Sequence, residues 1–184
     1  KEQTKKIFNT DEKKLTESLK AITKEFGKEA FQILDNKIKV SYPHVSSGAI
    51  ALDKALGIGG FPIGRIIEIW GRKSSGKTTI ALLTIAEVQR QGGTCVFVDM
   101  EHALDPSHAL FCGVDMSKLI ISQPDSGEDA LNICRKFAET GSINLVVLDS
   151  VAACVPKAEL NGEIGDNYMG LQARLMSQAL RILS

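Results

Sequence analysis

No stretch of the 184-residue chain approaches about 18 consecutive apolar residues, which excludes a membrane-spanning helix. None of the four cysteines, Cys95, Cys112, Cys134 and Cys154, stands in a C-x-x-C pair, so the spacing of a zinc site or a redox dithiol is missing. Three of them sit in apolar settings, and the reading is buried reduced thiols in a reducing compartment, taken as the cytoplasm. Net charge is absent too. Lys and Arg number 22 against 22 Asp and Glu, so the chain does not coat nucleic acid by charge alone, and any such contact must be local. An initiating Met is missing, the first residue being Lys1, so a presequence removed for an organelle stays open. What is present is enough apolar material, 43% of residues, for one sizeable core.

Residues 71–78 read Gly-Arg-Lys-Ser-Ser-Gly-Lys-Thr and fill every fixed position of G-x-x-x-x-G-K-[ST] directly behind a strand-like run, Ile66, Ile67, Glu68, Ile69 and Trp70. The chemistry explains the residue types. A polyphosphate crowds negative oxygens, so the backbone must bring a ring of N–H donors close, and Gly71 and Gly76 give the conformational freedom and leave room. A helix opening at about Lys77 aims unpaired amides and its positive dipole end at the phosphates. Lys77 adds a full charge near the β and γ phosphates, and the Thr78 hydroxyl is placed to ligate Mg²⁺. The motif therefore assigns residues 71–78, including Arg72, Lys73, Ser74 and Ser75, to a nucleotide site, and Thr79 follows directly in the same turn.

The pattern along the chain separates an arm from a body. Leu15, Leu19, Ile22 and Phe26 fall at helical spacing with Lys and Glu between them, and Gly27 ends the pattern, so an amphipathic helix is expected over 12–26. Its apolar stripe fits its own domain or a neighbouring subunit equally well. The following segment, to about residue 45, reads as irregular and short-strand-like with a break at Pro43, giving an arm over 1–45 and a body over 46–184. Within the body, β-rich apolar runs at 66–70, 95–99, 119–122 and 143–149 alternate with helical stretches at 78–91, 106–112 and 127–140. That alternation predicts an α/β sandwich on a mainly parallel sheet.

Ligands of such sheets lie beyond the carboxyl ends of the strands. Three groups fall there: the phosphate loop, Glu101 with His102 after the run ending at Asp99, and Asp149 with Ser150 after Leu145 to Leu148. Asp149 fits a Mg²⁺-holding carboxylate or, more simply, the cap of the next turn. Glu101 fits a base that deprotonates an attacking water, with Asp99 as its rival and an ordinary charged strand end as the alternative.

These residues carry a resemblance to the bacterial-type RecA recombinases. Matching stretches include Ser47-Gly48 to Leu52-Asp53, Ala55-Leu56-Gly57, Gly64-Arg65-Ile66, Ser74 to Thr79, Glu101-His102-Ala103-Leu104-Asp105-Pro106, Ser122-Gln123-Pro124-Asp125, Asp149 to Ala153 and Gly162 to Asp166. The resemblance runs from about residue 12 to the end. It implies a RecA-type phosphate-loop three-layer α/β/α fold, ATP and Mg²⁺ as ligands, and the roles already suggested for Lys77, Thr78, Glu101 and Asp149. It adds Asp105 as a contact to the adenine ring and places His108 where a stacking Tyr is usual. It also implies a first DNA-binding loop after Pro156, with Met169, Gly170 and Arg174 near single-stranded DNA. The implied activity is DNA-dependent ATP hydrolysis by a filament that pairs and exchanges strands in recombination, repair and the response to DNA damage.

Without the resemblance, the 157–174 segment reads as a connection leading to a helix near Gly170, since Glu159, Glu163 and Asp166 offset Lys157 and Arg174. Arg72-Lys73 replaces the family's usual Pro-Glu beside the phosphates. The chain stops at Ser184, before the second DNA loop, the γ-phosphate-sensing glutamine, the lysines that reach a neighbour's ATP and the carboxyl-terminal domain, and so resembles the amino-terminal part of such a protein. Two other classes share the features: a ring helicase or clock-type ATPase built on the same core, and a filament-assembly module without turnover. The 101–106 and 157–174 segments favour the recombinase.

Overall fold

The computed structural model describes residues 11–31, 42–163 and 165–184. The chain divides into two units, residues 1–40 and 41–184. In the first, α1 (Glu12–Phe26) forms where the apolar spacing placed it. The Asp11 carboxylate accepts from the amides of Lys13 and Lys14 at 3.1 and 3.3 Å, satisfying two donors that the first turn leaves without partners. Gly27 stops the helix, and no residue of α1 is buried. Most of the segment expected to link arm and body, residues 32–41, lies outside the described residues.

The second unit opens with a feature the sequence reading did not foresee. β1 (His44–Val45) pairs antiparallel with β2 (Phe61–Pro62), and α2 (Ile50–Leu56) lies between them in sequence. Asp53 on α2 closes this subassembly. Its carboxylate accepts from the hydroxyls of Ser46 at 2.5 Å and Ser47 at 2.6 Å and from the Ser47 amide at 2.9 Å. Ser47 is fully buried, and its carbonyl accepts from Thr84 of α3 (Lys77–Arg90), which ties the segment to the main layer.

The main sheet has three parallel strands in the order β4-β3-β5: β3 (Cys95–Asp99) in the centre, β4 (Leu119–Ser122) on one side and β5 (Leu145–Asp149) on the other. Every residue of β3 is buried, as a strand covered on both faces requires. Alternation sends Cys95 and Phe97 into a cluster with Leu82, Ile85 and Ala86 of α3 and with Ala109 of α4 (Pro106–Phe111). Val96 and Val98 point the other way, against Ala130 and Cys134 of α5 (Gly127–Glu139). The architecture is therefore α/β with helices on both faces of the sheet, as predicted. After β5 come a short 3-10 turn (Val151–Ala153), α6 (Lys157–Leu160) and α7 (Leu171–Leu183).

Two expectations about strands need correction. Residues 66–70 have strand composition yet form none. A strand consists of hydrogen bonds to a neighbour, and among the described residues nothing pairs with this run. Its side chains are accordingly exposed, Ile66, Ile67 and Ile69 partly and Trp70 to 85%. The last strand starts at Leu145 rather than at residue 143, because Asn144 exchanges hydrogen bonds with Thr94 and ends the ladder there.

All four cysteines are free and buried, as the sequence suggested. Burial pushes the Cys95 thiol up to about 11 and, with some help from nearby Cys154, the Cys134 thiol up to about 11 as well. Asp53 moves the other way, its pKa lowered chiefly by the Ser46 and Ser47 hydroxyls. Asp53→Ala should cost about 1–2 kcal/mol in urea denaturation at pH 7, allowing for partial exposure. A carboxylate with a depressed native pKa stabilises fully above its unfolded value of about 3.9 and loses that contribution as pH falls through the native one. The gap between Asp53→Ala and the parent chain should therefore narrow as the measurement is moved from pH 5 towards pH 3.

A candidate nucleotide site at the strand ends

The phosphate loop runs directly into α3. Gly76 caps the helix at φ 91°, a left-handed conformation that costs a residue with a side chain about 1–2 kcal/mol. At Gly71 a Cβ would lie 2.8 Å from the Ser75 hydroxyl, so a side chain there would require that exposed serine to rotate. No side chain caps α3, so the amides of its first turn face outward unclaimed by a cap, at the positive end of a 14-residue dipole. The Lys77 ammonium reaches back across the loop and donates to the carbonyls of Gly71 at 3.2 Å and Arg72 at 3.0 Å. Ser74 holds φ 58°, and Arg72, Lys73, Ser74 and Ser75 are all exposed.

From the same turn Thr78 donates to Asp149 at 2.6 Å, joining the start of α3 to the end of β5. Among the described residues no three His, Cys, Asp or Glu side chains gather as a metal site. A hydroxyl beside a carboxylate nonetheless fits Mg²⁺, which takes one or two protein oxygens and fills its shell with waters and phosphates. Thr79, one residue on, lies 3.1 Å from His108 Nε2. His108 thus stands beside the phosphate loop, its ring stacked near Phe111 at 6.5 Å and 17°. Asp105 caps α4 by accepting from the Ser107 amide at 2.8 Å.

The register of β3 on β5 pairs Asp99 with Asp149 and continues through a bond from the Met100 amide to the Asp149 carbonyl at 2.7 Å. Residues 101 and 150 therefore emerge side by side, and Ser150 donates to Glu101 Oε1 at 2.6 Å. Asp99, the rival for the role of base, is buried and already engaged. It accepts from the amides of Ala103 and Leu104 and from Gln123 Nε2 at 3.3, 3.2 and 3.1 Å. Burial alone would raise its pKa, but these bonds outweigh it and the net direction is down. Asp99 builds the turn on which the exposed Glu101 sits, and has no free face for a substrate.

Met169, Gly170 and Arg174 fall together at the start of α7, on a different segment from the phosphate loop. Gly170 caps the helix at φ 73°, Met169 is 85% exposed and Arg174 is exposed. Lys157, the other cation of this segment, is paired with Asp129 at 2.6 Å. Two residues to which the sequence pattern gave no role stand between the groups. Ser150 was placed at the strand end beside Asp149 without a partner, and Gln172 gave no signal. Its side-chain amide donates to the carbonyls of Val151, Ala152 and Cys154 at 2.9, 3.2 and 3.3 Å.

Comparison with known proteins identifies the family of the chain. The RecA N-terminal domain matches residues 13–184. The chain belongs to that family. It is 54% identical over 183 residues to the protein RecA of Streptococcus equi subsp. zooepidemicus, covering 100% of this chain and 48% of that protein. It is 56% identical over 170 residues to the protein RecA of Brevibacillus brevis, covering 92% of this chain and 48% of that one. The chain thus spans about half the length of the curated relatives it matches. Among the described residues no helix is long and apolar enough to cross a membrane.

Asp99→Asn turns an amide group towards donors that need an acceptor, leaving at least one of the three without its partner. The expected loss is about 2 kcal/mol of stability by denaturant titration, with no comparable loss for Asp105→Asn, since Asn caps a helix nearly as well as Asp.

Proposed function

We propose that the protein containing this chain is an ATP- and Mg²⁺-dependent DNA recombinase that assembles on single-stranded DNA and promotes homologous pairing and strand exchange in recombination and repair. The observation that carries this is the meeting of an uncapped helix start, Lys77, the Thr78–Asp149 pair and the Ser150–Glu101 pair at one edge of a parallel sheet. Family membership and the exposed group Met169, Gly170 and Arg174 support the DNA part. Residues 1–45 are assigned to subunit packing in a filament, α1 laying its apolar stripe on a neighbour, and the setting is the cytoplasm.

Backbone amides of residues 71–79 and the Lys77 ammonium bind the phosphates, Lys77 exchanging the loop carbonyls for phosphate oxygens. Thr78 and Asp149 would hold Mg²⁺, which would supply positive charge against the phosphates. Asp105 and His108 take the adenine, His108 beside Thr79 keeping base and phosphates in one register. Arg72 and Lys73 add two cations at the mouth of the loop. Glu101 accepts the proton of a water as its oxygen bonds to the γ phosphorus and the bond to the β–γ bridging oxygen breaks, releasing ADP and phosphate. Arg174 meets the phosphate backbone of the DNA, and Met169 lies against the bases.

The test is ATP hydrolysis by the full-length protein with and without single-stranded DNA. DNA-stimulated turnover is expected, whereas ATP binding with no hydrolysis in either condition would leave the assembly module without turnover. Lys77→Ala should weaken ATP binding at least about tenfold, since a charge-assisted phosphate contact is worth roughly 1.5–3 kcal/mol. Titration with a labelled nucleotide measures this. Glu101→Gln should keep near-normal affinity and lose ~10²–10⁴ in rate, and full turnover by that variant would remove Glu101 from the role of base.

A further inference from the structure

Ser150 stands at the start of the 3-10 turn (Val151–Ala153), where a serine hydroxyl ordinarily accepts from a turn amide. It does not do so. Its side chain makes no cap bond, and its backbone carbonyl holds the turn instead, accepting from the Ala153 amide at 3.1 Å. The hydroxyl is spent on Glu101 Oε1 at 2.6 Å, the range of a charge-assisted O–H···O⁻ bond. With Oε1 engaged, Oε2 is the oxygen left to take a proton from water.

The opposite side of the same turn is held from α7. Gln172 carries two side-chain N–H donors and directs them at three carbonyls, those of Val151, Ala152 and Cys154. Gln172 is two residues from Gly170 and Arg174, the candidate DNA contacts. One short turn therefore touches the proposed base through Ser150 and the proposed DNA segment through Gln172, with no more than a few bonds between.

We propose that Gln172 and Ser150 are positioning residues that carry the state of the DNA-binding segment to Glu101. DNA seated on Met169, Gly170 and Arg174 fixes the start of α7. Gln172 then fixes the 151–154 carbonyls, and Ser150 sets the carboxylate for proton acceptance. This rests on the recombinase reading, and it adds a route by which DNA raises the rate without touching the nucleotide.

The experiment uses the full-length protein and compares Gln172→Met, which keeps the length of the side chain and removes both donors, with the parent. ATP turnover, KM for ATP and affinity for an oligodeoxythymidine are measured together. The expected result is a DNA stimulation of kcat reduced about fivefold or more, with DNA-free turnover, KM and DNA affinity each within about twofold of the parent. Ser150→Ala should lower kcat about tenfold in both conditions at unchanged KM, Ser150→Thr should restore most of it, and Ser150→Ala should cost nothing further in the Glu101→Gln background. Unchanged stimulation in Gln172→Met, or an Ala loss that persists undiminished beside Glu101→Gln, would overturn the proposal while leaving the ATPase reading intact. If Gln172→Met does not fold, the Ser150 pair and its double variant decide alone. A parent protein that never hydrolyses ATP would overturn the ATPase reading and this route with it.

Discussion

The register of β3 against β5 is the constraint on which the rest of the structure depends. Parallel pairing from Cys95 opposite Leu145 to Asp99 opposite Asp149 leaves no freedom in where the two strands end. Because β3 is buried on both faces, a slip by one residue would turn Cys95 and Phe97 out of one cluster and Val96 and Val98 out of the other, so the hydrophobic effect fixes the register. The functional side chains inherit that precision. Asp149 meets Thr78 and Ser150 meets Glu101 because apolar side chains several residues back admit only one alignment.

The loops add a second layer of order, made from carboxylates that bind backbone amides. Asp99 gathers the 101–104 turn, Asp53 gathers residues 46–47, and Asp105 and Asp11 each start a helix. In each case a short side chain claims N–H groups that would otherwise need water. The phosphate loop lacks such a carboxylate: Gly76 occupies the cap position of α3 and no side chain caps its amides, as is also the case for α2, α6 and α7. What suits α3 to an anionic ligand is the combination of an open helix start with the Lys77 ammonium and the Thr78–Asp149 pair beside it.

How much could be read beforehand follows the range of the interactions. The helix over 12–26, the centre strand, the crossover helices and the residues of the phosphate loop depend on local spacing, and the sequence carried them to within a residue or so. The β1–β2 pair was missed because two-residue strands have no period to detect, and its partners, His44 with Pro62 and Val45 with Phe61, are far apart in sequence. Residues 66–70 were misread for the converse reason: composition reports a preference, but a strand also needs a neighbour. In the candidate site the residue pattern made Glu101 the candidate base and left Asp99 as its rival. Only the three donors around Asp99 separate them, and Gln123, one of those donors, comes from the end of another strand.

Trp70 is the only tryptophan in the chain, and it is the residue immediately before Gly71. An indole this exposed emits into water, while one turned into an apolar contact emits at shorter wavelength. The molecule thus carries its own optical label at the junction between an unpaired apolar run and the phosphate loop. Its emission colour is an equilibrium readout of whether residues 66–70 have found a neighbour, obtained without adding a dye or changing a residue.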